Sequence, residues 1–298
     1  MTYSNGSLGE SDFSGSISGN GTLVMNGTGT YGMLGANSAD SLTVNSGTLK
    51  VNGNSGTGPV TVNTGGTLLG AGTIAGPVTI ADGGTIGDGF SAGLLTLNAG
   101  LDLSASGDGA TNAWELAALK DSGTGVAGTD FDQIVLTGGT LALGSQATLD
   151  IRFVGSATAP AADIPFWQSP HTWTVIALSG GSNPGPSAFG QIRNGTYAAG
   201  HFTTAADASG NVVLTYTPSA VPSAPSPRIT AITNAGPSTM TVRYTNTLAG
   251  TNYTLLYITN LVSTNWSPAG TKPAAGSSDA QTDASATNSQ RYYRVRVP

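Results

Sequence analysis

The carboxylates are the first residues in this chain whose type and spacing could do chemistry. Asp130 and Asp132, in Thr129-Asp130-Phe131-Asp132, stand two apart, so on one strand they would share a face. Glycosidic cleavage needs two carboxylates on opposite sides of the scissile bond. Neighbours on a single strand do not supply that geometry without a third partner, and the pair is read as a solvated strand edge or turn. Asp102, Asp108 and Asp121 offer the hard oxygens that calcium prefers. No Asp-x-Asp-x-Asp-Gly loop or Gly-Gly-x-Gly-x-Asp repeat gathers them. His171 and His201 occur without a Gly-x-Ser-x-Gly elbow and are read as packed or surface residues. A β-helix polysaccharide lyase would need clustered acids and a basic proton acceptor, and Lys50 is the only basic residue in 10–105. No catalytic, cofactor-binding or metal-ligating residue is assigned, and the chain is expected not to be an enzyme.

Aromatic rings are the second source of chemistry, because they stack on sugars and anchor interfaces. Phe166, Trp167 and Trp266 are the candidates for a glycan, with Trp173 in the same aromatic segment and Phe13 as an assembly contact; the competing reading places the rings in the core. Thr43, Thr61, Thr79 and Thr96 would form an outward ladder, but Thr alternates with aliphatics, which disfavours an ice-binding array.

These residues must be positioned by a repeat. Ser41-Leu42-Thr43-Val44-Asn45, Pro59-Val60-Thr61-Val62-Asn63, Pro77-Val78-Thr79-Ile80-Ala81 and Leu94-Leu95-Thr96-Leu97-Asn98 align with central threonines spaced 18, 18 and 17 apart. A second element follows as Gly47-Thr48-Leu49, Gly66-Thr67-Leu68 and Gly84-Thr85-Ile86, with an earlier copy read at Gly21-Thr22-Leu23 and a later one at Gly139-Thr140-Leu141. Alternation sends the aliphatics to one face and Thr to the other. Asn-Ser-Gly, Asn-Thr-Gly-Gly and Ala-Asp-Gly-Gly supply the positive-φ positions a turn needs. One such unit cannot bury its own apolar face, but a stack can, which predicts a right-handed parallel β-helix of about 18 residues per rung.

SDFSGSISGNGTLVMNGTGTYGML and SLTVNSGTLKVNGNSGTGPVTVNTGGTLLGAGTIAGPVTI resemble the autotransporter-associated β-strand repeat of exported bacterial proteins, closely over 10–105 and more weakly over 106–217. The resemblance implies export and a β-solenoid, and it implies no enzymatic activity. Regular rungs are expected over 10–105 and irregular, aromatic-rich rungs over 106–217, where Trp114-Glu115-Leu116 reads as either a helical turn or a strand. PSAVPSAPSP, residues 218–227, reads as an extended linker. Beyond it RITAITNAG, STMTVRYTN, TNYTLLYITN, TNWSPAG and RYYRVRV read as strands of a small antiparallel β-sandwich over 228–298, similar to fibronectin type III or immunoglobulin-like domains. TNYTLLYITNLVSTNWSPAGT with QRYYRVRVP also resembles the C-terminal modules of large exported proteins of Verrucomicrobia-like bacteria.

Composition narrows the function. The 298 residues include 44 Gly, 15 Pro and no Cys, and only 9% are charged, against about 25% in an ordinary domain. A disulfide scaffold and a Cys-ligated metal are thereby excluded, and the ten basic residues are too scattered for a nucleic-acid stripe. Residues 1–221 carry Lys50, Lys120, Arg152 and Arg193 against fourteen acids, and residues 222–298 carry six basic residues against Asp279 and Asp283. The ends are therefore −10 and +4, a polarity that favours head-to-tail association. No apolar run is long enough to span a membrane. MTYSNGSLGESDFSGS lacks the basic and apolar regions of a signal peptide, so an exported protein would be represented here by its mature form or by an excised piece of it. The expectation is a non-catalytic extracellular or cell-surface structural protein, a stalk or head-to-tail filament subunit. An adhesin or carbohydrate-binding module on a solenoid spacer is the alternative, and a β-helix lyase or hydrolase the weaker one.

Overall fold

The computed structural model describes residues 2–5, 10–89, 91–186, 188–219, 226–288 and 290–297. The chain divides into two compact units, Met1–Ser219 and Ala220–Pro298. Pro218 ends a strand of the first unit, so that unit runs into the expected linker. Residues 220–225 of the Pro-Ser-Ala run lie outside the described residues.

The first unit is a three-faced parallel β-helix. Face one stacks Thr2–Asn5, Thr22–Gly27, Ser41–Val44, Val60–Val62, Val78–Ile80, Leu101–Leu103 and Leu141–Leu143. Face two stacks Glu10–Phe13, Thr30–Met33, Gly47–Val51, Gly66–Leu69, Thr85–Gly87, Thr111–Leu116, Thr148–Phe153 and Gln191–Arg193. Face three stacks Asn54–Ser55, Thr73–Ile74, Leu94–Leu97, Gln133–Leu136 and His171–Leu178 in parallel. Val212–Pro218, Gly200–Ala206 and Thr196–Tyr197 then close face three in antiparallel order.

Alternation explains the core. Leu42, Val44, Val60, Val62, Val78 and Ile80 point inward and are buried, while Thr43 and Thr61 are half-buried and Thr79 is exposed. Thr43, Thr61 and Thr79 pair in step across neighbouring strands. At the following corner Gly47, Gly65 and Gly83 take φ of 75°, 80° and 69°, a region closed to most side chains. Beside that turn Asn45 donates to Asn26 at 2.9 Å and Asn63 donates to Asn45 at 2.7 Å. Each asparagine in this ladder satisfies its neighbour across one rung.

Three repeat assignments are corrected. Thr79 is followed on face one by Asp102, not by Thr96, which pairs with Thr73 on face three. Gly21-Thr22-Leu23 and Gly139-Thr140-Leu141 belong to face one, where Leu23 meets Leu42 and Leu141 meets Leu101. A short alternating run looks the same on any face, and only the length of the intervening rung decides its place. The second ladder is Thr30, Thr48, Thr67, Thr85, Thr111 and Thr148, six threonines in unbroken register on face two.

Beyond residue 103 the rungs widen. Trp114-Glu115-Leu116 is strand, within Thr111–Leu116, and Pro165–Gln168 is a short 3₁₀ turn. Trp114, Trp167, Trp173, Phe202 and Tyr216 are buried together, with Trp114 edge-on to Trp173 at 5.8 Å and Trp167 to Tyr216 at 4.8 Å. Bulky rings fill the wider bore where single Val or Leu side chains cannot meet across it.

The second unit pairs Arg228–Gly236, Thr239–Thr245 and Ser278–Asp283 in one antiparallel sheet, and Ser267–Pro273, Asn252–Ile258 and Tyr292–Arg296 in another. Buried Gln281 joins the sheets, donating to Tyr244 Oη at 2.8 Å and to the Tyr253 carbonyl at 2.7 Å. The strand Ser278–Asp283 is absent from the sequence reading because its inward residues are Gln281 and Asp283 rather than aliphatics.

Candidate functional site

The unusual chemistry of the first unit lies at its two ends and at one internal corner. At the N-terminal end, Thr2–Asn5 and Glu10–Phe13 pair on one side only among the described residues, with Thr22–Gly27 and Thr30–Met33. Phe13 is 37% exposed and Leu34, whose N–H donates to the Phe13 carbonyl at 2.9 Å, is 43% exposed. Gly15 lies under that ring, and a Cβ there, 2.7 Å from Phe13 Cζ, would require the exposed ring to swing aside. Exposed Asp12 and Asp40 add negative charge to this end.

The aromatic segment behaves differently from its reading as a ligand site. Trp167 and Trp173 are 1% and 0% exposed. Their indole N–H groups donate inward, to the Thr158 carbonyl at 3.1 Å and the Lys120 carbonyl at 2.7 Å. Burial removes both from any sugar-stacking surface. Phe166 is half-buried and lies parallel to the His171 ring, centroids 3.7 Å apart. His171 faces Asp121 Oδ2 at 2.9 Å through Nδ1 and the Phe166 carbonyl at 2.6 Å through Nε2. Partial burial pushes the Asp121 carboxyl up, but hydrogen bonds from His171, Thr124 and the Gly123 amide outweigh it and hold the group below the usual carboxylate range. The neighbouring Ser122 hydroxyl accepts the Thr174 N–H at 3.0 Å. The dyad thus pins the plug to the wide rung, and both ring nitrogens are committed to that task. His201 is exposed on Gly200–Ala206.

The suspected carboxylates are dispersed. Asp102 accepts the Ser104 N–H at 2.8 Å, Asp121 holds His171, and among the described residues no three His, Cys, Asp or Glu side chains gather to hold a metal. Asp130 and Asp132 do not share an edge. Asp130 takes Lys120 Nζ at 3.1 Å and the Val126 N–H at 2.9 Å. The Val126 amide and the Lys120 ammonium hold its carboxyl below the usual range. Asp132 turns inward, toward Asp88 and Glu115. Sequence reasoning missed this grouping. Its members are far apart along the chain, and the one signal was a lone acid inside the apolar run Ala113-Trp114-Glu115-Leu116.

In the second unit Trp266 is half-buried, with the Arg294 guanidinium carbon 4.4 Å from the ring centroid. The guanidinium of that arginine covers one face of the indole. Arg294 and Arg296 alternate outward on Tyr292–Arg296, both exposed. No helix among the described residues is long and apolar enough to cross a membrane. Neither a scan against protein-family models nor a search of curated proteins finds a match to the chain.

Proposed function

We propose that this chain is a non-catalytic structural protein of the cell exterior, a stalk or filament subunit whose copies join head to tail. The observation that carries the reading is the inequality of the solenoid's two ends. One stacks Thr2–Asn5 and Glu10–Phe13 in parallel on the rungs that follow, and the other is turned back by the antiparallel strands Thr196–Tyr197, Gly200–Ala206 and Val212–Pro218. The two ends of one copy offer different chemistry, so a contact between the head of one copy and the tail of the next is heterologous and propagates instead of closing. Charge supports the same direction, with the acidic N-terminal rung matched by the basic face of Arg294 and Arg296 beside Trp266. The likeness of 10–105 to autotransporter-associated repeats supports export.

Electron microscopy of the native material, beside light scattering of the purified chain, tests the reading. Fibres whose axial repeat is one subunit support a filament. Phe13→Asp should then abolish assembly without unfolding the rungs beyond it. A chain that stays monomeric at high concentration, with its first strands ordered, overturns the filament reading and leaves the stalk.

A further inference from the structure

Three carboxyl groups meet where the compact rungs give way to the wide ones. Asp88 follows Thr85–Gly87, Glu115 lies within Thr111–Leu116, and Asp132 immediately precedes Gln133–Leu136. They are 3%, 6% and 1% exposed. Asp132 accepts the Gly93 N–H through Oδ1 and the Glu115 N–H through Oδ2, each at 2.8 Å. One side chain therefore ties the start of Leu94–Leu97 on face three to Thr111–Leu116 on face two of the next rung. Asp88 Oδ1 and Glu115 Oε2 have no hydrogen-bond partner.

The charge around this corner does not balance. Arg152, in register with Glu115 on the adjoining strand Thr148–Phe153, is the nearest cation. Its Nε and Nη2 already hold Asp150, at 3.1 and 3.0 Å, and Arg193 approaches the same carboxylate at 3.8 Å. Lys120 is spent on Asp130. Three ionised carboxylates sharing one committed, exposed guanidinium would leave buried charge unpaired, which an apolar interior rejects.

We propose that Asp88, Glu115 and Asp132 form a proton-held clasp between two rungs: the corner retains a proton at neutral pH, and its loss in alkaline medium loosens the clasp before the rest of the solenoid. Desolvation, then repulsion from Asp132, raises Asp88 well above the usual range. Desolvation raises Asp132 to about 8 against the pull of the Gly93 and Glu115 amides. Desolvation also raises Glu115, with Arg152 opposing.

Hydrogen exchange of the full chain from pH 6 to 9, corrected for the intrinsic rate, tests the clasp. From pH 6 up to the corner's titration near 8, the Gly93 and Glu115 amides should lose protection by up to about tenfold per pH unit and then level, while Val60–Val62 stays unchanged. Asp88→Asn, a neutral stand-in for the protonated acid, should remove that dependence. Equal protection at pH 6 and 9, or the same loss in Asp88→Asn, overturns the proposal. Should that variant not fold, carboxyl carbon chemical shifts of the unaltered chain decide. A buried carboxyl still protonated at pH 7 supports the clasp, and three groups fully ionised at pH 7 refute it.

Discussion

Single residues of this protein do distinct kinds of work in one repeating frame. Leu68 sits at zero exposure between Leu49 and Ile86 on face two. Leu68→Ala should cost about 2–5 kcal/mol, because the neighbouring rungs cannot collapse into the space; urea unfolding measures it. Asn45 acts through hydrogen bonds to Asn26 and Asn63 at the surface. Its replacement by Ala should cost only about 1 kcal/mol by the same assay, near the net worth of a hydrogen bond. Asp121 and the acidic corner pull stability in opposite senses with pH. Asp121 lies below its ordinary value, so its contribution is present above the usual carboxylate range and disappears as pH falls through the depressed value. Asp132 lies above, so the folded state holds a proton the unfolded chain has released, and stability declines from the ordinary range up to about 8, then levels. Thermal melts of the parent, Asp121→Asn and Asp88→Asn should separate the two: the first variant flattens the limb below the ordinary carboxylate range and the second the decline from that range up to about 8.

At the scale of elements, much of the regular stack is legible in the chain, and the reason is physical. Where rung length is constant, identical residues recur at identical places, as with Thr43, Thr61 and Thr79, and spacing alone reports the register. Once residues 88–93 change that length, Leu94–Leu97 keeps the look of a face-one strand but falls on face three. Local alternation says which side of a strand is buried and nothing about which face the strand occupies. The acidic corner is hidden for the same reason. Asp88, Glu115 and Asp132 converge because three wide turns return to one point, and no short window of sequence contains two of them. In the second unit, Ser278–Asp283 escapes notice because its core contacts are polar: Gln281 bonds two tyrosines, and Asp283 takes Tyr293 Oη at 3.0 Å and Arg291. Gln281→Leu should therefore destabilise the sandwich by about 1–3 kcal/mol despite adding apolar surface, since Tyr244 Oη and the Tyr253 carbonyl lose their buried donor. Guanidinium unfolding followed by tyrosine fluorescence measures it.

At the scale of the whole molecule, the consequence of opposite charges is kinetic. Residues 1–221 carry −10 and residues 222–298 carry +4. Encounter between unlike ends is accelerated at low ionic strength and screened once the Debye length falls to about 8 Å or less. If copies join head to tail as proposed, assembly followed by light scattering should slow steeply with added salt. A salt-independent rate would assign steering no role.

The antiparallel strands that close face three also make the solenoid a ruler. Winding cannot continue past Val212–Pro218 and Gly200–Ala206, so the number of rungs is written into the polypeptide and not decided by growth. The segment between Thr43 and Thr79 is interchangeable in a way the closing strands are not, since Val60–Val62 meets nearly identical partners above and below. Duplicating residues 45–62 in tandem should lengthen the rod by one strand spacing, about 4.8 Å, with the aromatic plug unchanged; small-angle scattering would read the increment. Length in such a protein is a heritable quantity, adjustable in whole steps by copying a stretch of gene.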